Sequence, residues 1–74
     1  MIYTLVSFKF DIKQYVKKQE KIIELATKNN GIFSGCGTAL EDDTRDIDLK
    51  FKELSDKDKF AAEAIKLYPD LTIK

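Results

Sequence analysis

The sequence predicts an α+β fold, in which two helices pack against an antiparallel sheet. Two stretches of the chain alternate apolar and polar residues cleanly with a period of two and a third does so more weakly, which is typical of strands. Two further stretches repeat their apolar residues at helical spacing. The 74 residues are 43% hydrophobic and 35% charged, a composition that favours a globular chain over a disordered one.

The first strand is predicted over residues 2–10, where β-branched and aromatic residues recur at every second position. Its apolar face consists of Ile2, Thr4, Val6, Phe8 and Phe10. The opposite face mixes Tyr3 and Leu5 with Ser7 and Lys9. We therefore expect Tyr3 and Leu5 to be only partly covered.

The first helix is predicted to begin at Asp11 and to end at Asn29. Asp11 and Gln14 have the spacing of a capping box. The apolar stripe comprises Ile12, Val16, Ile23 and Ala26, with Gln19 as a polar gap. The run Asn29-Asn30-Gly31 ends the helix, because Asn and Gly tolerate a left-handed backbone.

A hairpin is predicted next, with strands over residues 31–40 and 44–54 joined by the polar turn Glu41-Asp42-Asp43. Gly35 and Gly37 weaken the first of these strands and indicate a bulge or a close backbone approach. The second strand alternates Ile47, Leu49 and Phe51 with Asp46, Asp48, Lys50 and Lys52.

The second helix is predicted to begin at Ser55, with Asp58 completing a capping box. It continues to Tyr68, and Pro69 ends it. Residues 71–73 have the composition of a short closing strand, although the sequence also permits a sheet of three strands.

The predicted order is that of a single ferredoxin-like βαββα(β) domain over residues 1–74, with strand order 4-1-3-2 and both helices on one face of the sheet. The helix-facing core would then consist of Val6, Phe8, Val16, Ile23, Ile47, Leu49, Phe51, Phe60, Ala64 and Ile65. The other face of the sheet is left uncovered, and we expect partners or a second copy to bind there.

Several chemistries are excluded by composition, because the chain has no His and a single Cys. It therefore has neither an intramolecular disulfide nor a zinc site built from Cys and His. We interpret Cys36 as a small apolar side chain in a strand, because no His or helix start adjoins it. The run from Ser34 to Gly37 lacks the Gly-Lys-Ser/Thr end of a phosphate-binding loop.

We expect no cofactor and no catalytic residue. We also expect no membrane span, since Lys9 and Asp11 interrupt the apolar N-terminal run. The unpaired thiol fits a reducing compartment, and the absence of a targeting segment favours a cytoplasmic location.

The densest polar cluster consists of Glu41, Asp42, Asp43, Asp46 and Asp48. We predict that these carboxylates form a partner-binding patch that docks onto a basic protein surface. An alternative is an Mg²⁺ site on Asp46 and Asp48, which would suit a nuclease-like domain. The simplest reading is a solvated turn whose repulsion Arg45 relieves, and we predict no bound metal.

Nucleic-acid binding is a further alternative, because Lys13, Lys17, Lys21 and Lys28 follow one side of the first helix. Recognition of bases on a sheet needs aromatic residues on its open face, where only Tyr3 is expected. The net charge is zero, with 13 basic and 13 acidic residues, so we do not expect nucleic acid as a partner. The sequence favours a non-catalytic protein-interaction module, acting as a homodimer or on a protein partner of unknown identity. Small inhibitors and adaptors, such as phage counter-defence and anti-CRISPR proteins, have this size.

Overall fold

A computed structural model describes residues 1–9, 11, 13–39 and 43–74 of the chain, with only the backbone described for Ala39. The elements are β1 (Ile2–Lys9), α1 (Tyr15–Lys28), β2 (Gly31–Ala39), β3 (Thr44–Phe51), α2 (Leu54–Leu67) and β4 (Thr72–Ile73). The predicted α+β class is confirmed. The parts of the prediction that fall on Phe10, Ile12, Leu40, Glu41 and Asp42 lie outside the described residues.

The strands form one four-stranded sheet in the order β2-β3-β1-β4, and each neighbouring pair is antiparallel. Read from the β4 edge, the same sheet has the neighbour order 4-1-3-2 that the sequence predicts. The central strands β1 and β3 pair along their full length, from Ile2 opposite Phe51 to Lys9 opposite Thr44. The outer strand β4 has two residues, so it covers only a short part of the β1 edge.

The core lies in one layer between the sheet and the helices. Alternate residues of β1 and β3 point into it, and they meet residues one or two helical turns apart on α1 and α2. The buried residues are Thr4, Val6, Phe8, Ile22, Ala26, Ile47, Leu49, Phe51, Phe60, Ala64 and Leu71. The rings of Phe51 and Phe60, with centroids 5.3 Å apart, join the sheet to α2.

Three predicted core residues are wrong or only partly right. Val16 and Ile65 are 50% and 45% exposed, and Ile23 is half-buried at the margin of the core. The physical reason in α1 is its rotation about its own axis, which places Ile22 and Ala26 inward. Tyr15 and Gln19 lie on the same inward side, where both contact Arg45 of β3.

The predicted helix starts are also wrong. α1 begins at Tyr15 after the N-cap Gln14, and no side chain caps it. Asp11 instead closes a turn ahead of the helix, since its carboxylate accepts a hydrogen bond of 2.9 Å from the Lys13 amide. Asn30 at the other end of α1 adopts the expected left-handed conformation, with φ 64°.

The second helix begins earlier than predicted, because the chain leaves the sheet at Phe51 rather than at residue 54. Its N-cap is Glu53, whose backbone is extended and whose side chain makes no capping hydrogen bond. Ser55 therefore lies inside the first turn of α2 rather than at its cap. The helix ends at Leu67, ahead of Pro69, as the sequence predicts. No helix in the described part of the chain combines the length and apolar character that crossing a membrane requires.

Candidate interaction surface

The side of the sheet that faces away from the helices is formed by the odd-numbered residues of β1 and the even-numbered residues of β3. Cross-strand pairing arranges them in rows: Tyr3 with Lys50, Leu5 with Asp48, Ser7 with Asp46 and Lys9 with Thr44. The edge strand β2 extends three of these rows with Ile32, Gly35 and Gly37. We call these eleven residues the open face.

The open face exposes large apolar side chains that no described element covers. Tyr3 is 67% exposed and Ile32 is 52% exposed, whereas Leu5, in the next row, is half-buried. The alternation in the first strand predicts partial cover for both Tyr3 and Leu5; Leu5 is half-buried, whereas Tyr3 is exposed. Large apolar residues on one exposed face, bordered by charges, are typical of interaction surfaces.

The predicted partner-binding carboxylates are partly described. Asp46 and Asp48 both lie on the open face, two residues apart on β3, as predicted. Asp46 is half-buried and accepts a hydrogen bond of 2.7 Å from the Ser7 hydroxyl, whereas Asp48 is exposed. Asp43 is exposed in the hairpin turn with φ 52°, a conformation that Asp tolerates better than most residues. Glu41 and Asp42 lie outside the described residues.

These carboxylates can accept hydrogen bonds from a basic partner, but their spacing is wide for a shared cation. Residues i and i+2 of a strand are about 7 Å apart, and Ser7 already holds one oxygen of Asp46. Across the described residues no three Asp, Glu or Cys side chains converge in a group that could bind a metal. The magnesium alternative stays a prediction that rests on the sequence alone.

The open face also carries cations, which the candidate site predicted from the sequence leaves out. The ammonium group of Lys50 lies 5.0 Å from the centroid of the Tyr3 ring, within cation–π distance. Lys9 is exposed at the far end of β1. The position of Lys50 on this face could be predicted from the sequence, because the alternation that places Asp46 and Asp48 on one face of the strand places Lys50 there too. The face is therefore balanced in charge rather than acidic.

Arg45 organises the opposite side of the hairpin. Its guanidinium donates to the side-chain Oε1 of Gln19 at 2.8 Å, to the Thr38 hydroxyl at 2.6 Å and to the Cys36 sulfur at 3.1 Å. It also stacks over the Tyr15 ring, 5.1 Å from the centroid. Cys36 lies in β2 as predicted, but it is exposed, and its sulfur accepts a hydrogen bond from Arg45 instead of packing in the core.

The four lysines that the sequence places along the first helix are divided between two depressions. Lys13 and Lys17 line one of about 520 Å³ beside Tyr68, and Lys21 and Lys28 line another of about 420 Å³ between the helices. The second depression also contains Glu63. Lys66 lines the second depression as well, so basic groups face both depressions.

Comparison with known proteins establishes the fold and does not identify a family. No protein-family model matches the sequence, and no curated protein matches it. The structure is similar to the X-ray crystal structure of protein Atu4242 from Agrobacterium tumefaciens, with a TM-score of 0.64 and 17% sequence identity. The similarity covers 100% of this chain and 89% of that one, so it extends over the complete α+β arrangement of two helices and four strands.

Proposed function

We propose that this chain is a non-catalytic protein-interaction module with a ferredoxin-like fold, and that it binds a protein through its open face. The observation that carries the proposal is the exposure of that face, on which Tyr3 and Ile32 are 67% and 52% exposed. A small domain gains stability by burying such side chains, and leaving them in water favours association. Aromatic residues surrounded by polar ones are also enriched where protein interfaces form.

The partner chemistry follows from the groups that border these apolar residues. Asp48 is exposed, and Asp46 keeps one carboxylate oxygen outside the Ser7 hydrogen bond. Asp43 extends the acidic side toward the hairpin turn. A protein that presents Lys or Arg opposite Asp43, Asp46 and Asp48 gains charge-assisted hydrogen bonds there. Such binding suits an inhibitor or adaptor, including one of the phage counter-defence type.

A reducing, cytoplasmic location is part of this proposal. Cys36 is exposed, and its thiol is free of any disulfide. An exposed free thiol persists more readily where the surroundings are reducing.

The proposal is tested by charge reversal on the open face and at Asp43 in the adjoining hairpin turn. The triple variant Asp43→Lys, Asp46→Lys and Asp48→Lys is compared with the original chain for capture of protein from a lysate of the source cells. We expect capture to be lost while circular dichroism shows a folded chain. The matched control reverses the exposed residues Glu20, Glu24 and Asp58 to Lys, which changes the net charge equally but leaves the open face intact. Equal capture by the original chain and the triple variant would remove the open face from the interface.

A further inference from the structure

We infer that the occupant of the open face is a second copy of this chain, related to the first by a two-fold axis. The inference rests on the proposed function, because it names the protein that binds the same face. The dimer is isologous, so that each copy presents the same residues and receives the same residues in return.

Charge balance is the first argument for a second copy. The open face carries Lys9 and Lys50 beside Asp46 and Asp48, two charges of each sign. A partner of one sign would oppose two like charges wherever it met the full face. A second copy brings the same two signs, so a suitable rotation can place a lysine of each copy opposite a carboxylate of the other.

The strand register selects that rotation. An axis in the plane between the two copies, crossing the strands at the row of Leu5 and Asp48, reverses the order of the rows. Lys50 then lies opposite the partner's Asp46, and Tyr3 lies opposite the partner's Ser7. Leu5 meets the partner's Leu5 at the axis, while Lys9 falls at the solvent-exposed rim. Each dimer therefore contains two Lys50–Asp46 pairs.

The glycines of β2 give the same rotation a steric basis. Ile32 projects from the edge strand in the row of Lys50 and lies opposite the partner's Gly37. A Cβ atom at Gly37 would meet nothing within 4 Å, so the surface is open there. A Cβ atom at Gly35 would be 3.9 Å from the Asp48 carboxylate, which is ordinary contact. The Ile32 side chain can thus pack over the partner's Gly37, which has no side chain.

The size of the face sets the expected affinity. Three long strands spaced about 4.8 Å apart and about 26 Å long give a flat area on the order of 400 Å². Side-chain relief enlarges this area, but it stays near or below the ~800 Å² per partner of a standard stable interface. We expect a dissociation constant in the micromolar range rather than an obligate dimer.

One like-charge contact remains in this arrangement. It allows an experiment to distinguish the dimer from a complex with a basic partner. The Asp48 side chains of the two copies approach each other at the axis, flanked by the two Lys50 side chains. Removing the charge with Asp48→Asn is expected to tighten the dimer by about threefold, because the repulsion disappears. The same change weakens attraction to a basic partner.

The decisive experiment is sedimentation equilibrium of the full chain and of Lys50→Asp and Asp46→Lys, each up to about 1 mM, with circular dichroism to verify folding. Each single variant opposes like charges across the axis, and we expect its self-association to weaken at least about tenfold. Mixing the two variants at equal concentration is expected to restore association, as a heterodimer. In that heterodimer the new carboxylate at position 50 faces the new ammonium group at position 46, and the second pair is the original one.

The charge-matched controls are Lys28→Asp and Asp58→Lys, both on the helix side of the sheet, and they are expected to leave the dimer unchanged. A chain that stays monomeric to about 1 mM overturns the inference, as does a dimer that neither single variant weakens. If the chain is monomeric and Asp48→Asn reduces capture of a basic protein, the proposed function stands without self-association. If the chain is monomeric and charge reversal on the face changes no capture, both fail.

Discussion

The two faces of one sheet differ sharply although the same strands build both. On the helix side, Val6 and Leu49 are fully buried. On the open face, Tyr3 and Asp48 are exposed. Since side chains alternate along a strand, each position contributes to stability or remains available for binding, and few do both. The helix side accounts for the fold, and the open face accounts for the proposed function.

The largest expected difference between the two faces is in the free energy of unfolding that is lost when one aromatic ring is removed. Phe60→Ala removes a fully buried ring that packs on Phe51 at 5.3 Å between centroids. We expect a loss of about 3–5 kcal/mol, from both transfer and cavity formation. A domain of this size has roughly 4–11 kcal/mol in total, so this variant is near unfolding at ambient temperature. Urea denaturation measures the change.

Tyr3→Ala is the matched change on the open face, where the ring is largely in water. We expect its effect on the free energy of unfolding to be within about 0.5 kcal/mol at low protein concentration. Similar losses for Phe60→Ala and Tyr3→Ala would contradict the division between a stability face and a binding face.

A second comparison uses two glycines of β2. A Cβ atom at Gly31 would lie 2.6 Å from the Phe51 ring and 2.8 Å from the Ala26 carbonyl oxygen, so Gly31→Ala forces buried groups apart. We expect a loss of about 1–3 kcal/mol. Gly37→Ala meets open space, and lower flexibility of the unfolded chain favours a gain of up to about 1 kcal/mol. Thermal denaturation of the two variants should therefore move in opposite directions.

The sequence predicts well what depends on local periodicity. Alternation in the third strand places Ile47, Leu49 and Phe51 inward, and it places Asp46 and Asp48 together on the other face. Those predictions need only the geometry of a strand. For the same reason the α+β class follows from the order of the elements.

What the sequence does not predict depends on contacts between elements. One example is the rotation of α1. Gln19, a polar residue, lies on the inward side of the helix, where it accepts a hydrogen bond from Arg45 of β3. The burial of Leu71 depends on how the chain returns to the sheet after α2. The Lys50–Tyr3 contact on the open face needs the register of β1 against β3, which alternation within one strand does not fix.

Among the described residues, Thr4 is the one with a buried side-chain polar atom that lacks a hydrogen-bond partner. It is 1% exposed, and its hydroxyl has no hydrogen-bond partner among the described residues. Burying an unpaired hydroxyl is unfavourable, so we expect Thr4→Val to stabilise the chain by about 1 kcal/mol. Thr72→Val, at the exposed β4 position, is the control and should change stability by only about a few tenths. An unchanged melting temperature for Thr4→Val would indicate that the hydroxyl finds a partner in solution.

The smallest expected effect on stability concerns two lysines, one on each side of the sheet, that make different contacts. Lys50 on the open face contacts one ring, whereas Lys18 in α1 lies near the Phe8 and Tyr68 rings and 2.9 Å from the Asp70 carboxylate. The hydrogen bond from Lys18 lowers the pKa of Asp70 below its ordinary value of 3.8. This pair links the first turn of α1 to the residues that follow α2.

The pH dependence of that link follows from the direction of the shift. A carboxyl whose folded pKa is depressed contributes its stability fully above the unfolded pKa, and the contribution disappears as pH falls through the folded pKa. Asp70 is 60% exposed, so we expect only about a few tenths of a kcal/mol. Melting temperatures of the original chain and of Asp70→Asn should differ by a constant amount well above the ordinary pKa of 3.8, and they should converge as pH falls below the lowered pKa of Asp70 in the folded chain. Asp58→Asn, in which Lys18 and Asp70 remain, should keep the acid-dependent loss. A difference for Asp70→Asn that persisted at the lowest pH would show that Asp70 stabilises the chain without its charge.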